Sequence, residues 1–457
     1  MVASAGVRGG GRGGGKRRKL IYSGPLEESP IKDLIHVQDP AERCILVAAP
    51  RKGSADAAKM GEHLEELGEL VDTAGATVVG RLTQQVASPH PGTLIGEGKV
   101  EELRLLVAEL GATLVIFDEE LTPVQGSNLE RETKVRIMDR AEVILDIFST
   151  RARSHEAKLQ VELAQLQYLL PRLTRMWTHL SRIRGGIGLR GPGETQLETD
   201  RRMIRKKIQY LRGKLLEVER HRSTLRQGRQ PMLGGALVGY ANAGKSSVLR
   251  GLSGEHEIVV EDRLFATLDT LTREIELGGG ARVRMTDTVG FIRKLPHHLV
   301  ASFRATLEEA RGADLLLHVV DASHPESEDH ILVVDQVLSE LEMADTPVRL
   351  VFNKMDLVED PTGYALRVRE LHPDALLINT MQTDGLESLK RALREEAERR
   401  RPPVRVLVPL SDGATLARLY RQGEVLRCDQ DEECYAVTVR LEPWQVTQLR
   451  EAGCEVQ

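Results

Sequence analysis

One stretch of the sequence decides the fold, and it reads Gly239-Tyr240-Ala241-Asn242-Ala243-Gly244-Lys245-Ser246. It fits the pattern G-x-x-x-x-G-K-[ST], follows the apolar run 236–238 and precedes a segment with the apolar spacing of a helix. Glycines in such a strand–loop–helix unit let backbone N–H groups curl around phosphate oxygens. The stretch therefore predicts an α/β P-loop domain in which Lys245 reaches the β and γ phosphates and Ser246 ligates Mg²⁺.

A second motif, Asp287-Thr288-Val289-Gly290, ends the predicted strand 283–285. An acid at the end of that strand can hold magnesium, usually through a water, and the N–H of Gly290 can sense the γ phosphate. Thr267 lies between this motif and the P-loop, where it can cap the magnesium. Residues 260–272 and 287–300 are therefore predicted to be switch segments that the γ phosphate and Mg²⁺ order.

A third motif, Asn353-Lys354-Met355-Asp356, follows the predicted strand 350–352. The Asp356 carboxylate can accept two hydrogen bonds, from guanine N1–H and N2–H₂, whereas adenine offers no such pair on that edge. Three motifs in this order, each at a strand end, predict a site for GTP and GDP.

The predicted site has three overlapping groups of residues. Nucleotide contacts are expected from Gly239, Asn242, Ala243, Gly244, Lys245, Ser246, Ser247, Asp287, Asn353, Lys354, Asp356, Thr380 and Met381. Metal ligands are expected at Ser246, Thr267 and Asp287, and catalytic groups at Lys245, Thr267 and Gly290. Asn242 has two interpretations, a ligand of K⁺ or a structural cap of the P-loop. The loop 379–381 reads Asn-Thr-Met where a Ser-Ala pair is expected to contact the base.

Phe291 occupies the position after D-x-x-G where many GTPases place a glutamine that orients the attacking water. An apolar ring cannot position water, so intrinsic hydrolysis is expected to be slow. Another residue, a cation or a partner surface must complete the site. We expect a polyanionic assembly to trigger hydrolysis.

Charge is segregated along the 457 residues, although the net charge is only -5. Residues 1–19 contain six Lys and Arg and no acid, and residues 151–230 contain 19 Lys and Arg against 7 Asp and Glu. Two basic segments on an acidic body favour nucleic acid as a partner, and solvated faces without a partner are the alternative. No apolar run reaches the roughly 20 residues of a membrane span. The four cysteines form no C-x-x-C pair, which indicates ordinary thiols in a reducing compartment, so a cytoplasmic protein is expected. We also expect it to be a monomer.

Composition and periodicity divide the chain into five predicted regions. They are a basic disordered tail at 1–35, an N-terminal α/β domain at 36–150, a helical hairpin at 151–230, a GTPase domain at 231–402 and a C-terminal α+β domain at 403–457. A mitochondrial transit peptide is an alternative for the tail, although its glycines argue against an amphipathic helix.

The N-terminal domain is predicted to contain a small parallel sheet. Strands at 44–48, 77–79 and 114–117 alternate with helices at 57–71 and 100–110, the β-α-β-α-β order of parallel sheets. The turn 96–99 is interpreted as the start of a helix. In the C-terminal domain, strands are predicted near 404–408 and 436–441, with helices at 414–421 and 443–452.

The region 151–230 is predicted to form two long helices. Apolar residues from Leu159 to Leu180, and again from Ile204 to Leu225 with a gap at Arg222, follow alternating steps of four and three. This spacing indicates a heptad seam and an antiparallel hairpin. Pro171 is expected to kink the first helix. The joining loop 184–194 contains five glycines and two arginines, which suits close approach to a polyanion; a flexible connector is the alternative.

These motifs resemble the HflX family of GTPases over residues 40–400. The resemblance rests on Gly92–Lys99, on Arg151–Arg153, on Gln160–Leu166, and most specifically on Gly191-Pro192-Gly193-Glu194-Thr195-Gln196-Leu197-Glu198 with Asp200-Arg201-Arg202. It implies a factor that binds the large ribosomal subunit and, with GTP, splits stalled ribosomes under stress. It also implies contacts to ribosomal RNA at Arg184, Gly185, Gly186, Gly188, Arg190, Gly191 and Gly193.

Two other functions stay open at the level of sequence. One is a GTP-dependent factor for large-subunit assembly or RNA remodelling. The other is a protein that keeps subunits apart without needing hydrolysis.

Overall fold

A computed structural model of the chain describes residues 42–173, 194–227, 232–255, 261, 263–278, 281–295, 310–382, 384–431 and 433–457. Three sheets organise these residues. Within them, no helix combines the length and the apolar character that crossing a bilayer requires.

The first sheet is parallel throughout, as predicted, with strand order β2-β1-β3-β4. Its strands are β1 (Arg43–Ala48), β2 (Thr77–Thr83), β3 (Leu114–Phe117) and β4 (Arg136–Asp139). Cys44 and Leu46 pack into one core cluster, and Ile45 and Val47 into another on the opposite face. Burial on both faces explains the uninterrupted apolar run of β1. The fourth strand was missed because only two of its residues are apolar.

Five helices accompany this sheet, and the turn 96–99 starts one of them, as predicted. They are α1 (Ala55–Ala58), α2 (Met60–Ala74), α3 (Glu97–Leu110), α4 (Pro123–Thr133) and α5 (Arg140–Arg151). The sequence interpretation missed α4, although a capping box marks its start. Thr122 Oγ1 accepts from the backbone N–H of Gln125 at 3.3 Å, and the Gln125 side chain accepts from the Thr122 N–H at 2.9 Å.

Two helices of the basic region, α6 (His155–Leu169) and α7 (Glu194–Gln227), pack against each other. Their contact is a cluster built from the predicted seam positions Leu159 to Leu170 and Ile204 to Leu215. Leu159, Leu163, Ile208 and Leu211 are its buried members. Burying each of these side chains contributes roughly 1.5–3 kcal/mol. Residues 174–193, with the predicted Gly-rich tip, lie outside the described part of the chain, so the hairpin connection stays a prediction.

Pro171 was predicted to kink the first helix, and the α-helical pattern is interrupted there before helical backbone resumes at Leu173. The helix α6 ends at Leu169, and Pro171 lies in the 3₁₀ turn Leu170–Arg172. Proline lacks the N–H that would continue the helical ladder, and its ring crowds the preceding turn. The turn places the Arg172 guanidinium against the carbonyl of Leu121, at 2.8 Å, next to the N-terminal sheet.

The second sheet has the order β10-β9-β8-β5-β7-β6 and is parallel except for its edge strand β6. Its strands are β5 (Leu233–Gly239), β6 (Leu271–Gly278), β7 (Ala281–Asp287), β8 (Leu315–Asp321), β9 (Val348–Asn353) and β10 (Leu376–Leu377). Its helices are α8 (Lys245–Ser253), α9 (Ser327–Glu340), α10 (Pro361–Leu371) and α11 (Glu387–Arg400). The carboxyl ends of the parallel strands meet at one edge, where α/β sheets bind ligands.

The third sheet is antiparallel, with the order β12-β13-β11-β14. It comprises β11 (Pro403–Pro409), α12 (Gly413–Gln422), β12 (Glu424–Gln430), β13 (Cys434–Arg440), α13 (Pro443–Glu451) and β14 (Glu455–Val456). The sequence indicated the two central strands and both helices. It did not indicate β12, because five of its seven residues are exposed and most of those are polar.

Candidate nucleotide-binding site

The predicted phosphate loop lies between β5 and α8, and two glycines allow its path. Gly239 has a φ of 150° and Gly244 a φ of 91°, in the region that favours glycine. A Cβ on Gly239 would lie 2.2 Å from the carbonyl oxygen of Val319, and one on Gly244 would lie 2.3 Å from Asn353 Nδ2. No other residue fits either position without displacing the neighbouring strand ends.

Lys245 is the first residue of α8, and its side chain is buried beneath the loop. Its Nζ donates to the carbonyl oxygens of Gly239 at 3.2 Å and Tyr240 at 2.8 Å. Burial lowers the pKa of Lys245 from 10.5 to about 8. A Cβ on Gly290 would lie 3.0 Å from Nζ, so the backbone of the second motif approaches the lysine closely. The two groups predicted to contact the γ phosphate, Lys245 Nζ and the N–H of Gly290, therefore lie close together.

The three predicted metal ligands come together. Ser246 Oγ lies 2.6 Å from Asp287 Oδ2 and 2.7 Å from Thr267 Oγ1. Burial raises the pKa of the Asp287 carboxyl, whereas Lys245, Ser246 and Thr267 lower it. Asp287 Oδ1 is buried without a hydrogen-bond partner. Oxygen ligands of octahedral Mg²⁺ lie about 2.0–2.1 Å from the ion and hence about 3 Å from one another, so this set of oxygens suits that ion.

The third motif follows β9 and approaches the phosphate loop from the side. Asn353 Nδ2 donates to the carbonyl oxygen of Ala243 at 3.1 Å, which ties the two loops together. Lys354 has a φ of 61°, and its Nζ lies 2.6 Å from Asp321 Oδ2 at the end of β8. Asp356 follows on an exposed 3₁₀ turn with its carboxylate accessible. The sequence interpretation did not predict this ion pair of Asp321 with Lys354, although an acid at the end of a parallel strand is a recognisable signal of a site residue.

The loop after β10 forms the other side of the candidate nucleotide site. Asn379 is buried, and its Oδ1 accepts from the backbone N–H of Met381 at 2.9 Å. The asparagine therefore holds the turn from within, and Thr380 and Met381 face the cavity. Asn242 has a φ of 61°, a conformation that asparagine tolerates, and both interpretations of its side chain stay open.

These elements surround one cavity of about 350 Å³, large enough for a nucleotide. The predicted residues that line it are Asn242, Gly244, Lys245, Ser246, Ser247, Thr267, Gly290, Asn353, Lys354, Asp356, Thr380 and Met381. Gly239, Ala243 and Asp287 lie behind this wall and shape it from the buried side. Glu261 and Arg263 also line the cavity and were not predicted, because neither belongs to a recognised motif.

Phe291 is only 1% exposed and belongs to the core beneath the phosphate loop. Its backbone pairs with the loop, since its N–H donates to Gly239 O at 3.1 Å and its carbonyl accepts from Ala241 N at 2.7 Å. The ring therefore stabilises the join between two motifs and cannot orient water in the cavity.

Changing Phe291 to Gln is expected to destabilise the protein by about 2–5 kcal/mol without accelerating hydrolysis. The substitution removes a buried ring and leaves a buried amide without partners. Denaturant unfolding and GTP turnover measure the two effects. Phe291→Leu, which keeps the site apolar, is the matched control and should cost about 1–2 kcal/mol. A stable Gln variant with faster turnover would show that this position can reach the nucleotide.

The predicted RNA contacts, Arg184, Gly185, Gly186, Gly188, Arg190, Gly191 and Gly193, lie outside the described residues. Seven Lys and Arg without an acid occur between residues 201 and 214 on α7. Arg202, Arg205, Lys206 and Arg212 among them are exposed.

Comparison with known protein families identifies three matching regions along the chain. Three family descriptions match in succession: "GTP-binding GTPase N-terminal" over residues 61–149, "GTP-binding GTPase Middle Region" over residues 151–229 and "50S ribosome-binding GTPase" over residues 235–354.

Curated relatives match over most of their length. A protein named GTPase HflX from Caldanaerobacter subterraneus is 46% identical over 401 residues, which are 87% of this chain and 90% of that protein. The Escherichia coli K12 protein of the same name is 44% identical over 79% of this chain and 85% of its own. A solved structure described as a GTP-binding protein from Sulfolobus solfataricus in complex with GDP is 23% identical, covers 78% of this chain and 99% of its own, and has a TM-score of 0.42.

Proposed function

This chain belongs to the HflX family of GTPases, and from that premise we propose that it is a large-ribosomal-subunit-binding factor that dissociates stalled ribosomes under stress. The ribosomal partner is supported by the description "50S ribosome-binding GTPase" for the family matching residues 235–354. The basic region 151–230 provides the charge that an RNA partner requires.

The observation that carries the proposal is the joining of two features on one chain. The edge of the second sheet at the carboxyl ends of its parallel strands contains the candidate nucleotide cavity, and α7 presents a basic surface between residues 201 and 214. An exposed run of cations binds RNA phosphates by releasing counterions. A factor of this kind can engage the ribosome through one feature and time its departure through the other.

Within the cavity, each group has a proposed task. Lys245 neutralises charge on the β and γ phosphates, the N–H of Gly290 binds the γ phosphate, and Asp356 pairs with guanine N1–H and N2–H₂. Ser246, Thr267 and Asp287 would hold Mg²⁺, which when bound would supply positive charge beside the phosphates.

We propose that the protein alone hydrolyses GTP slowly, because the buried Phe291 side chain cannot orient the attacking water. A partner that supplies the missing group can contribute on the order of 10³–10⁵ in rate. The ribosome is the proposed source of that stimulation. Fast turnover by the purified protein, unchanged by any ribosomal particle, would contradict this step.

Sedimentation of ribosomes tests the proposal directly. Intact ribosomes are incubated with the protein and a non-hydrolysable GTP analogue and then separated by density. Free subunits, with the protein on the large subunit, are expected. Intact ribosomes with binding confined to immature large subunits would point to assembly instead, and a lack of any binding would overturn the ribosomal role.

Replacing Arg184 and Arg190 with Ala is expected to weaken binding to the large subunit while leaving nucleotide affinity unchanged. Each lost phosphate contact should reduce the slope of log affinity against log salt concentration by about 0.7–0.9. Binding measured between 50 and 200 mM salt, beside GDP affinity, gives both readouts. The control removes the exposed Arg131 and Arg427 instead, which changes the net charge equally. Parallel loss of nucleotide affinity would contradict a separate RNA contact.

A further inference from the structure

The residues around Thr267 are attached to the helices of the N-terminal half on both sides of that threonine. Two residues before it, the Phe265 ring packs edge-on against Phe148 of α5, with 4.7 Å between the centroids. Phe265 is buried and has a φ of 57°, which is unusual for a bulky residue. Such a conformation costs roughly 1–3 kcal/mol and persists only where the surroundings impose it.

Two residues after Thr267, the Asp269 carboxylate binds the start of α6. Asp269 Oδ2 accepts from the backbone N–H groups of Arg153 and Ser154, each at 3.0 Å. Asp269 Oδ1 accepts from the Ser154 hydroxyl. The same hydroxyl caps α6 by accepting from the Ala157 N–H at 3.0 Å. One carboxylate therefore satisfies three donors at the positive end of a 15-residue helix.

A third attachment lies nearer the cavity. Glu261, which lines the nucleotide cavity, pairs with Arg151 at 2.7 Å. The segment that contains Thr267 thus contacts three consecutive parts of the α5–α6 junction. These contacts join residues more than 100 positions apart in sequence, so they are tertiary and not local.

We propose that Asp269 is a positioning residue that holds Thr267 at the magnesium site by anchoring its segment to the first turn of α6. The inference rests on the proposed role of Thr267 as a ligand in the triphosphate state. Because α6 packs along the basic helix α7, a displacement of these helices on RNA moves the anchor of Asp269 and thereby Thr267. Coupling between two binding sites is reciprocal, so bound GTP also biases the position of α6.

The test compares Asp269→Asn with Asp146→Asn, an exposed position on α5 that loses the same charge. Asparagine replaces one carboxylate oxygen by an –NH₂ group. This group cannot accept hydrogen bonds from the N–H groups of Arg153 and Ser154. The dissociation constants for GDP and for a non-hydrolysable GTP analogue are measured with Mg²⁺. We expect the analogue to bind about tenfold more weakly to Asp269→Asn and GDP to be affected less than twofold. A residue that only stabilises the fold would weaken both equally, and that result, or no change in either, overturns the inference.

A double-mutant cycle with Thr267→Ala separates the inference from its premise. Thr267→Ala should show the same selective loss, and adding Asp269→Asn should weaken analogue binding no further. If Thr267→Ala lacks the selective loss, the proposed role of Thr267 is wrong. If it shows the loss and Asp269→Asn does not, only the inference is wrong.

A second variant keeps the test decisive if Asp269→Asn does not fold. Ser154→Gly removes the hydroxyl donor, and glycine is tolerated at a helix N-cap within a few tenths of a kcal/mol. It should produce a smaller loss of analogue affinity with GDP affinity retained. Unchanged affinity for the analogue would overturn the inference.

Discussion

Asp356→Asn is expected to exchange the base specificity of the protein from guanine to xanthine. In the proposed role of Asp356, its carboxylate accepts hydrogen bonds from guanine N1–H and N2–H₂, and charge-assisted hydrogen bonds contribute about 1.5–3 kcal/mol each. Asparagine keeps one acceptor but turns an N–H donor toward the N2–H₂ group. GTP affinity should therefore fall about 10²–10³-fold. Xanthine has a carbonyl in place of that amino group, so the same amide should bind it.

Competition binding with GTP, ATP and XTP measures this exchange. The control is Asp374→Asn, an exposed residue between α10 and β10 that loses the same charge and does not line the cavity. The control should keep full GTP selectivity. An Asp356→Asn variant that binds GTP within a few-fold of the parent would show that another group selects the base.

The nucleotide site could be predicted from sequence because its chemistry requires local patterns. A phosphate loop needs glycine at two positions of positive φ, and Gly239 and Gly244 are those positions. Parallel strands then bring each motif to the same edge of the sheet, so order along the chain translates into proximity in space. Thr267 could be placed for the same reason, since it lies between two motifs whose positions are fixed.

Features that depend on tertiary contact could not be predicted. Asp269 interacts with residues 115 and 116 positions away, and no local pattern encodes such a pairing. The exposed strand β12 lacks the apolar alternation that marks a half-buried strand, because only its pairing with β13 defines it. The short strand β4 was also not predicted, because only two of its four residues are apolar. The interruption at Pro171 could be predicted, by contrast, because proline removes a helical hydrogen bond whatever its tertiary surroundings.

The structure also changes the interpretation of Phe291. The sequence indicated only that the residue cannot orient water. Its burial and its backbone pairing with Gly239 and Ala241 show that the ring belongs to the support of the phosphate loop. A catalytic group must therefore come from elsewhere, which is why stimulation by a partner is part of the proposed function.

Lys245→Met is expected to lower kcat/KM for GTP hydrolysis on the order of 10³-fold while leaving the nucleotide-free protein at least as stable at pH 7. The ammonium is buried close to Gly290, whose N–H is proposed to bind the γ phosphate, and its charge acts in a medium of low polarity. Methionine preserves length and apolar packing but removes the charge. Lys390→Met, at a partly exposed lysine on α11 outside the cavity, is the matched control and should change neither quantity.

The stability difference should depend on pH in a defined direction. Burial lowers the pKa of Lys245 from 10.5 to about 8, so the unfolded chain binds more protons than the folded one between these values. The lysine therefore destabilises the folded protein fully below pH 8, and this penalty fades as the pH rises toward 10.5. Lys245→Met removes the penalty, so its advantage in unfolding free energy should be largest near pH 7 and shrink by pH 9.5. Turnover within tenfold of the parent, or a stability difference that grows with pH, would contradict the role assigned to this buried charge.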